Sequence, residues 1–201
     1  MTIYVNINEE DQKALLILAS GSPRRAEMMA RITPFFQIVE PQVDESPLDG
    51  ETPLDMAERL AMKKAAAVYE STKGILPVVA ADTIVVHGNV MGKPDSKEEA
   101  ARMLRELSGD KHLVITGVAI INPGDQSAVC FTETTEVRFG VIDEKDIEEY
   151  VNGGEPMDKA GAYGIQGAGG KFIEQVNGCF YNVMGFPLYR IYRNLKDMGV
   201  V

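Results

Sequence analysis

The apolar run Ala14-Leu15-Leu16-Ile17-Leu18-Ala19 stops at Ser20-Gly21-Ser22-Pro23-Arg24-Arg25. A short apolar run followed by Gly, Ser and Pro reads as a buried strand ending in a tight turn. Pro23 fits the first position of a helix, with Ser22 as its N-cap. This strand-to-helix junction is the first of the alternating strands and helices that point to an α/β fold. It also gathers two hydroxyls and two guanidiniums where backbone N–H groups and the helix dipole favour an anion. Taken alone, the segment is equally an ordinary capped helix with two surface arginines.

The remaining pattern alternates strands and helices. Helix follows to about Ile32, then a strand over Phe35 to Val39. Thr52 is expected to cap a helix from Pro53 to Ser71, closed by Gly74, with Leu54, Ala57, Leu60, Ala61, Ala65 and Val68 at helical spacing. Val78 to Val86 is an apolar strand interrupted by Asp82 and Thr83, turning back at His87-Gly88-Asn89 toward Val90 and Met91. Ser96 with Glu99 has the form of a capping box for a helix to Leu107. Leu113 to Ile121 and Ala128 to Phe139 form a hairpin across residues 122 to 125, and Glu144 to Val151 a short helix. Residues 152 to 170 hold seven glycines and little periodicity. A strand over Lys171 to Val176 and a helix opened by Pro187, with Leu188, Ile191, Tyr192 and Leu195 on one face, complete an α/β fold with a mixed sheet.

Charge limits the function classes. A net charge of −10 argues against a nucleic-acid or membrane-surface binder, which needs a basic face. A polyanionic ligand would then need a local cationic cluster, with a metal ion beside it. Residues 1 to 12 lack the pattern of a secretory leader, and no apolar run approaches the ~20 residues of a membrane span. Cys130 and Cys179 lack metal-ligand spacing and read as reduced core thiols of a cytosolic protein. His87 and His112 read as surface or cap residues.

Four further segments could carry chemistry. Asp82 inside an apolar strand costs several kcal/mol unless paired, hydrated or metal-bound, so it is either a strand-end cap or a general base or metal ligand. Asp44 and Glu45 follow a strand as solvated acids or a metal site. Lys93, between Gly92 and Pro94, could meet a phosphate. The Asp158-to-Gly167 loop permits unusual backbone angles and close ligand approach, with Tyr163 and Gln166 able to stack on and read a base; otherwise it is a flexible surface loop.

Together these segments resemble the Maf family of nucleoside triphosphate pyrophosphatases. The resemblance rests on ASGSPRR at 19–25, VDE at 43–45, RLAMKKA at 59–65, AADTIV at 80–85, MGKP at 91–94, ITGVAI at 115–120 and DKAGAYGIQG at 158–167. It implies a two-lobed α/β fold, Maf/ITPase-like, with an elongated mixed β-sheet flanked by helices and a cleft between lobes. Residues 14–201 are then one domain, and residues 1–13 an N-terminal extension. It implies hydrolysis of a nucleoside triphosphate to the monophosphate and pyrophosphate, with a divalent cation such as Mg²⁺, Mn²⁺ or Co²⁺. By the same resemblance Asp82 is the proton acceptor, and Ser20, Arg25, Lys64 and Lys93 grip phosphate. Glu45 stands with Asp82 on the metal side, and Arg25, Thr83 and Gln166 separate subfamilies by base. The GAYGIQG loop looks like the branch acting on dTTP and UTP. A 7-methyl-GTP pyrophosphatase and a non-enzymatic nucleotide-binding regulator of cell division are the alternatives. The implied partner is a nucleotide substrate in the cytoplasm, without nucleic acid or membrane, and a homodimer stays open.

Overall fold

The computed structural model describes residues 14–123 and 127–201. The extension assigned to residues 1–13 and the tip of the long hairpin lie outside the described residues. The seven strands are β1 (Leu16–Ala19), β2 (Phe36–Val39), β3 (Val78–His87), β4 (Asn89–Met91), β5 (Lys111–Asn122), β6 (Ser127–Phe139) and β7 (Ile173–Asn177). They form one mixed sheet in the order β2-β1-β3-β5-β6-β7, with β4 on β3. β1 pairs in parallel with β2 and β3, whereas β3–β4 and β6–β7 are antiparallel. Flanking helices are α1 (Pro23–Ala30), α2 (Pro53–Ser71), α3 (Lys97–Leu107), α4 (Glu144–Asn152), α5 (Phe180–Val183) and α6 (Leu188–Asp197). The mixed-sheet α/β class expected from the sequence is therefore the observed one.

The chain divides into two compact units. The first contains residues up to Asp82, Thr116–Thr132 and Gly185–Val201; the second contains Thr83–Ile115 and Glu133–Met184. The first unit buries Ile17, Ala19, Ala61, Ala65, Val68, Val78, Ala80 and Ala119 together. Small residues dominate this core because α2 lies close on the sheet. At Gly117 of β5 a Cβ would stand 2.1 Å from the Ala57 carbonyl oxygen of α2, so only glycine fits. The second unit has its own core around Phe139, Met103, Leu104, Leu107, Ile147 and Tyr163.

Local signals account for the helix ends. Thr52 Oγ1 accepts from Asp55 N at 3.2 Å, and Gly74, at φ +59°, returns its N–H to the Tyr69 carbonyl at 2.8 Å. Ser96 accepts from Glu99 N at 3.1 Å, but the reciprocal bond of a capping box is shifted: Glu99 takes the N–H of Asp95 at 2.8 Å. Leu54 and Tyr192, placed on buried faces by periodicity, are exposed. The glycine-rich stretch is no flexible surface loop; it folds as three 3₁₀ turns with Gly161, Ala162 and Tyr163 buried. The helix α5 carries no clear sequence signal. Cys130 and Cys179 are free but only partly buried.

His112 is not a surface residue. It is 2% exposed, edge-on to Phe139 and Tyr163, with Nε2 2.7 Å from the Tyr163 hydroxyl and Nδ1 unpartnered among the described residues. Burial is the main cause that pushes its pKa from 6.5 down to about 4, with the charge of His87 adding and Asp110 opposing. The folded pKa is depressed, so between 6.5 and about 4 the unfolded chain holds a proton that the folded chain refuses. Stability is therefore complete above 6.5 and falls as the pH drops through that window, by an upper bound of about 3 kcal/mol. Urea midpoints measured from pH 7 to 4 are expected to show this slope, and His112→Gln to flatten it; an equal slope in the variant would contradict the assignment.

Candidate active site

β1 ends at Ala19, opposite Ala80 of β3. The chain turns off at Ser20 while β3 continues, so Asp82 stands just beyond the carboxyl end of its parallel neighbour. In open α/β sheets that is where ligands bind. Asp82 is only 6% exposed, and α2 supplies the cation its burial demands. Lys64, itself 7% exposed on the buried stripe of α2, places Nζ 2.6 Å from Asp82 Oδ1 and 2.8 Å from Glu45 Oε1. An ammonium has three N–H donors, and the hydrogen bond to Asp82 uses one of them. Asp82 Oδ2 has no hydrogen-bond partner among the described residues.

The α1 N-terminus lies next along the chain. Ser22 occupies the N-cap position, as expected, but its side chain makes no capping bond. Instead its N–H donates to Ser20 Oγ at 3.1 Å, and Ser20 is buried. A helix start without a side-chain cap retains the donors that attract an anion. Arg25, on the first turn, donates Nε to the Gly185 carbonyl at 2.9 Å. Burial lowers its pKa from the ordinary arginine value, while the charges of Asp82 and Glu45 raise it against that trend and Arg24 lowers it further. Arg25 thus sits in the electrostatic field of the acidic pair.

Glu45 is on an exposed loop, and α2 fastens that loop. Arg59 forms a paired contact with Glu51, its Nη2 2.7 Å from Oε2, and reaches the Ser46 carbonyl at 3.2 Å. Lys63 donates to the Asp44 carbonyl at 2.7 Å. The Asp44 carboxylate faces inward along its own loop: Ser46 donates both Oγ and N to Oδ1, which is the main cause of a lowered Asp44 pKa. Residues 59, 63 and 64 therefore hold consecutive parts of one loop. Sequence reasoning singled out only Lys64; the available signal was the i, i+4 spacing of Arg59 and Lys63 on one helix face.

Lys93, Thr83 and Gln166 belong to the second unit. Lys93 is exposed between β4 and α3, with no ion pair among the described residues. Thr83 is half-buried on β3, and Gln166 is exposed in a turn. A shallow hollow of about 340 Å³, lined by Asp55, Glu58, Arg59, Met62 and Cys130, contains none of the expected site residues. The Cys130 thiol there is pushed up to about 11, chiefly by burial, so it stays protonated and is a poor nucleophile.

A family model described as "Maf-like protein" matches residues 15–198. The chain belongs to this family. Among curated relatives, the dTTP/UTP pyrophosphatase of Thermococcus kodakarensis is 47% identical over 186 residues, covering 92% of this chain and 97% of that protein. The Geobacillus sp. dTTP/UTP pyrophosphatase is 45% identical over 185 residues, covering 92% and 98%. That of Clostridium perfringens is 43% identical over 187 residues, covering 92% and 97%. Among solved structures, the Staphylococcus aureus Ham1 protein aligns over 62% of this chain and 71% of that chain at 14% identity and a TM-score of 0.43, a likeness on which nothing here rests.

The three-membered charge cluster has an asymmetric response to substitution. Lys64→Met leaves Asp82 buried beside Glu45 without its ion-pair partner, a loss of about 3–5 kcal/mol. Asp82→Asn leaves Lys64 still paired with Glu45 and is expected to cost markedly less. Urea denaturation of both variants checks the order; equal costs would mean that Lys64 is not the partner that permits Asp82's burial.

Proposed function

We propose that the chain hydrolyses dTTP and UTP to the nucleoside monophosphate and pyrophosphate. The observation that carries this reading is the buried Lys64–Asp82 pair, with one Asp82 oxygen open, beside an uncapped helix start bearing Arg25. The names of the family relatives supply the substrate class.

In this reading Ser20, the α1 backbone N–H groups, Arg25 and Lys93 hold phosphate oxygens. Lys64 fixes Asp82 through Oδ1 and offers another N–H to phosphate. Asp82 Oδ2 accepts the proton of the attacking water, a role worth about 10²–10⁴-fold in rate. Among the described residues no group of three or more His, Cys, Asp or Glu side chains forms a metal cage. Two carboxylates drawn to one ammonium, each with a second oxygen outside that contact, fit a magnesium-type cation that completes its shell with substrate phosphates and water. Glu45 and Asp82 would hold such a cation, Mg²⁺, Mn²⁺ or Co²⁺, which when bound neutralises charge on the phosphates. Gln166, with Thr83 and Arg25, reads the base: its amide complements the carbonyl and N–H that uracil and thymine share. The 5-methyl group that separates them leaves this edge unchanged, which supports use of both.

The same reading makes residues 14–201 a single pyrophosphatase domain, preceded by the extension 1–13. No helix among the described residues is long and apolar enough to cross a membrane. We place the enzyme in the cytoplasm, acting on free nucleotides rather than on nucleic acid.

A panel of dTTP, UTP, CTP and 7-methyl-GTP with Mg²⁺, Mn²⁺ or Co²⁺, assayed for pyrophosphate, is expected to favour dTTP and UTP. Preference for 7-methyl-GTP would reassign the base, and binding without turnover would make the chain a regulator. Asp82→Asn is expected to lose at least about 10²-fold in kcat while remaining folded. Retention of more than about a tenth of wild-type kcat would remove Asp82 from the base role.

A further inference from the structure

Glycine density at residues 161–170 suggests room for a ligand, but much of that room is filled from within. Gly167 N–H donates to the Gly164 carbonyl at 3.2 Å, closing a β-turn with Ile165 and Gln166 at its centre. Both feet of this turn stand on one pair of side chains. At the first foot, Gly164 N–H donates to the Tyr150 hydroxyl at 3.3 Å, and that hydroxyl donates to Glu155 Oε1 at 2.9 Å. At the second, Ala168 N–H donates to Glu155 Oε2 at 2.8 Å and Gly169 N–H to Oε1 at 3.3 Å. Lys159 Nζ donates to the Glu155 carbonyl at 2.6 Å, anchoring the acid's own backbone.

The glycines follow from this packing. A Cβ at Gly167 would lie 2.3 Å from Glu155 Oε1, and one at Gly169 2.5 Å from the Tyr150 hydroxyl. At Gly164 a Cβ would meet Lys159 Cε at 2.8 Å. At these positions the space is taken by the chain's own side chains, Glu155, Tyr150 and Lys159. Tyr150, 5% exposed on α4, packs edge-on against Phe172 and so fixes the pair to the core of the second unit.

We propose that Glu155 and Tyr150 are positioning residues that set the turn presenting Gln166, and hence the selectivity for uracil and thymine. This rests on Gln166 as the base-reading residue. The carboxylate is needed because it only accepts. It takes Tyr150 O–H, Ala168 N–H and Gly169 N–H at once, whereas an amide of the same shape turns an NH₂ toward one of the two backbone N–H groups in either orientation. An unmatched donor pair of this kind costs enough to displace the turn.

Two measurements test this with Glu155→Gln, and Tyr150→Phe serves as a second variant that keeps the aromatic packing. Hydrogen exchange over residues 160–172 needs no catalysis and is expected to quicken at least about fivefold in both variants. Kinetics on dTTP and UTP complete a cycle with Gln166→Leu. Glu155→Gln is expected to lower kcat/KM about tenfold in the wild-type background, mainly through KM, and less than about twofold in the Gln166→Leu background. Equal losses in the two backgrounds would make Glu155 a merely structural residue and overturn the proposal. Unchanged exchange would overturn the pinning itself. Faster exchange together with an inert Gln166→Leu would keep the pinning but refute the base-reading role, and with it the positioning of Gln166.

Discussion

A carboxylate in the middle of an apolar strand has to find a cation, and in this chain it finds Lys64. The 2.6 Å contact between Lys64 and Asp82 decides much of what surrounds it. The lysine has to lie on the buried stripe of α2, among alanines, with α2 close enough on the sheet that Gly117 has no room for a side chain. It also draws in Glu45, so one ammonium organises an acid from a strand and an acid from a loop. Removing water from such a pair is costly unless its geometry is good, and arrangements of this kind are held where function requires them. The proposed chemistry starts from the same contact: orienting Asp82 through Oδ1 leaves Oδ2 outside the ion pair.

Both loops with proposed roles are fixed by the same device: an acidic side chain folded back on the protein rather than left in solvent. In the first unit Glu51 receives Arg59 and the Leu48 N–H, which holds the stretch carrying Glu45. The arginine contact is the main cause that lowers the Glu51 pKa. In the second unit Glu155 receives a tyrosine hydroxyl and two backbone N–H groups, which holds the turn carrying Gln166. Partial burial pushes the Glu155 pKa up, but the Ala168 N–H, the Tyr150 hydroxyl and the Gly169 N–H together with Lys159 hold it below the ordinary carboxylate value. Arg59 offsets the charge of Glu51 locally, whereas Glu155, held by neutral donors, keeps its own.

Elements bounded by local chemistry were legible in the sequence. Thr52-Pro53 and Gly74 delimit α2, Ser96 starts α3, and the apolar run with Asp82 within it marks β3. The residues that meet at Lys64 were legible as a set only through the family resemblance, because Glu45, Lys64 and Asp82 lie on three separate elements and nothing local links them. His112 was misread since an isolated histidine at a strand end carries no sign of the aromatic shell that Phe139 and Tyr163 build around it. Glu155 was passed over for a related reason. Two of its partners are backbone N–H groups more than ten residues away, and a pattern of glycines does not say whether the space they leave is for a ligand or for a neighbouring side chain.

The central claim is that Asp82 directs water at the α-phosphorus of a pyrimidine nucleoside triphosphate. Turnover of dTTP in ¹⁸O-water, followed by mass spectrometry of both products, tests it most directly. The account predicts one ¹⁸O atom in dTMP and none in pyrophosphate. Label in pyrophosphate, or release of dTDP with labelled orthophosphate, would contradict it.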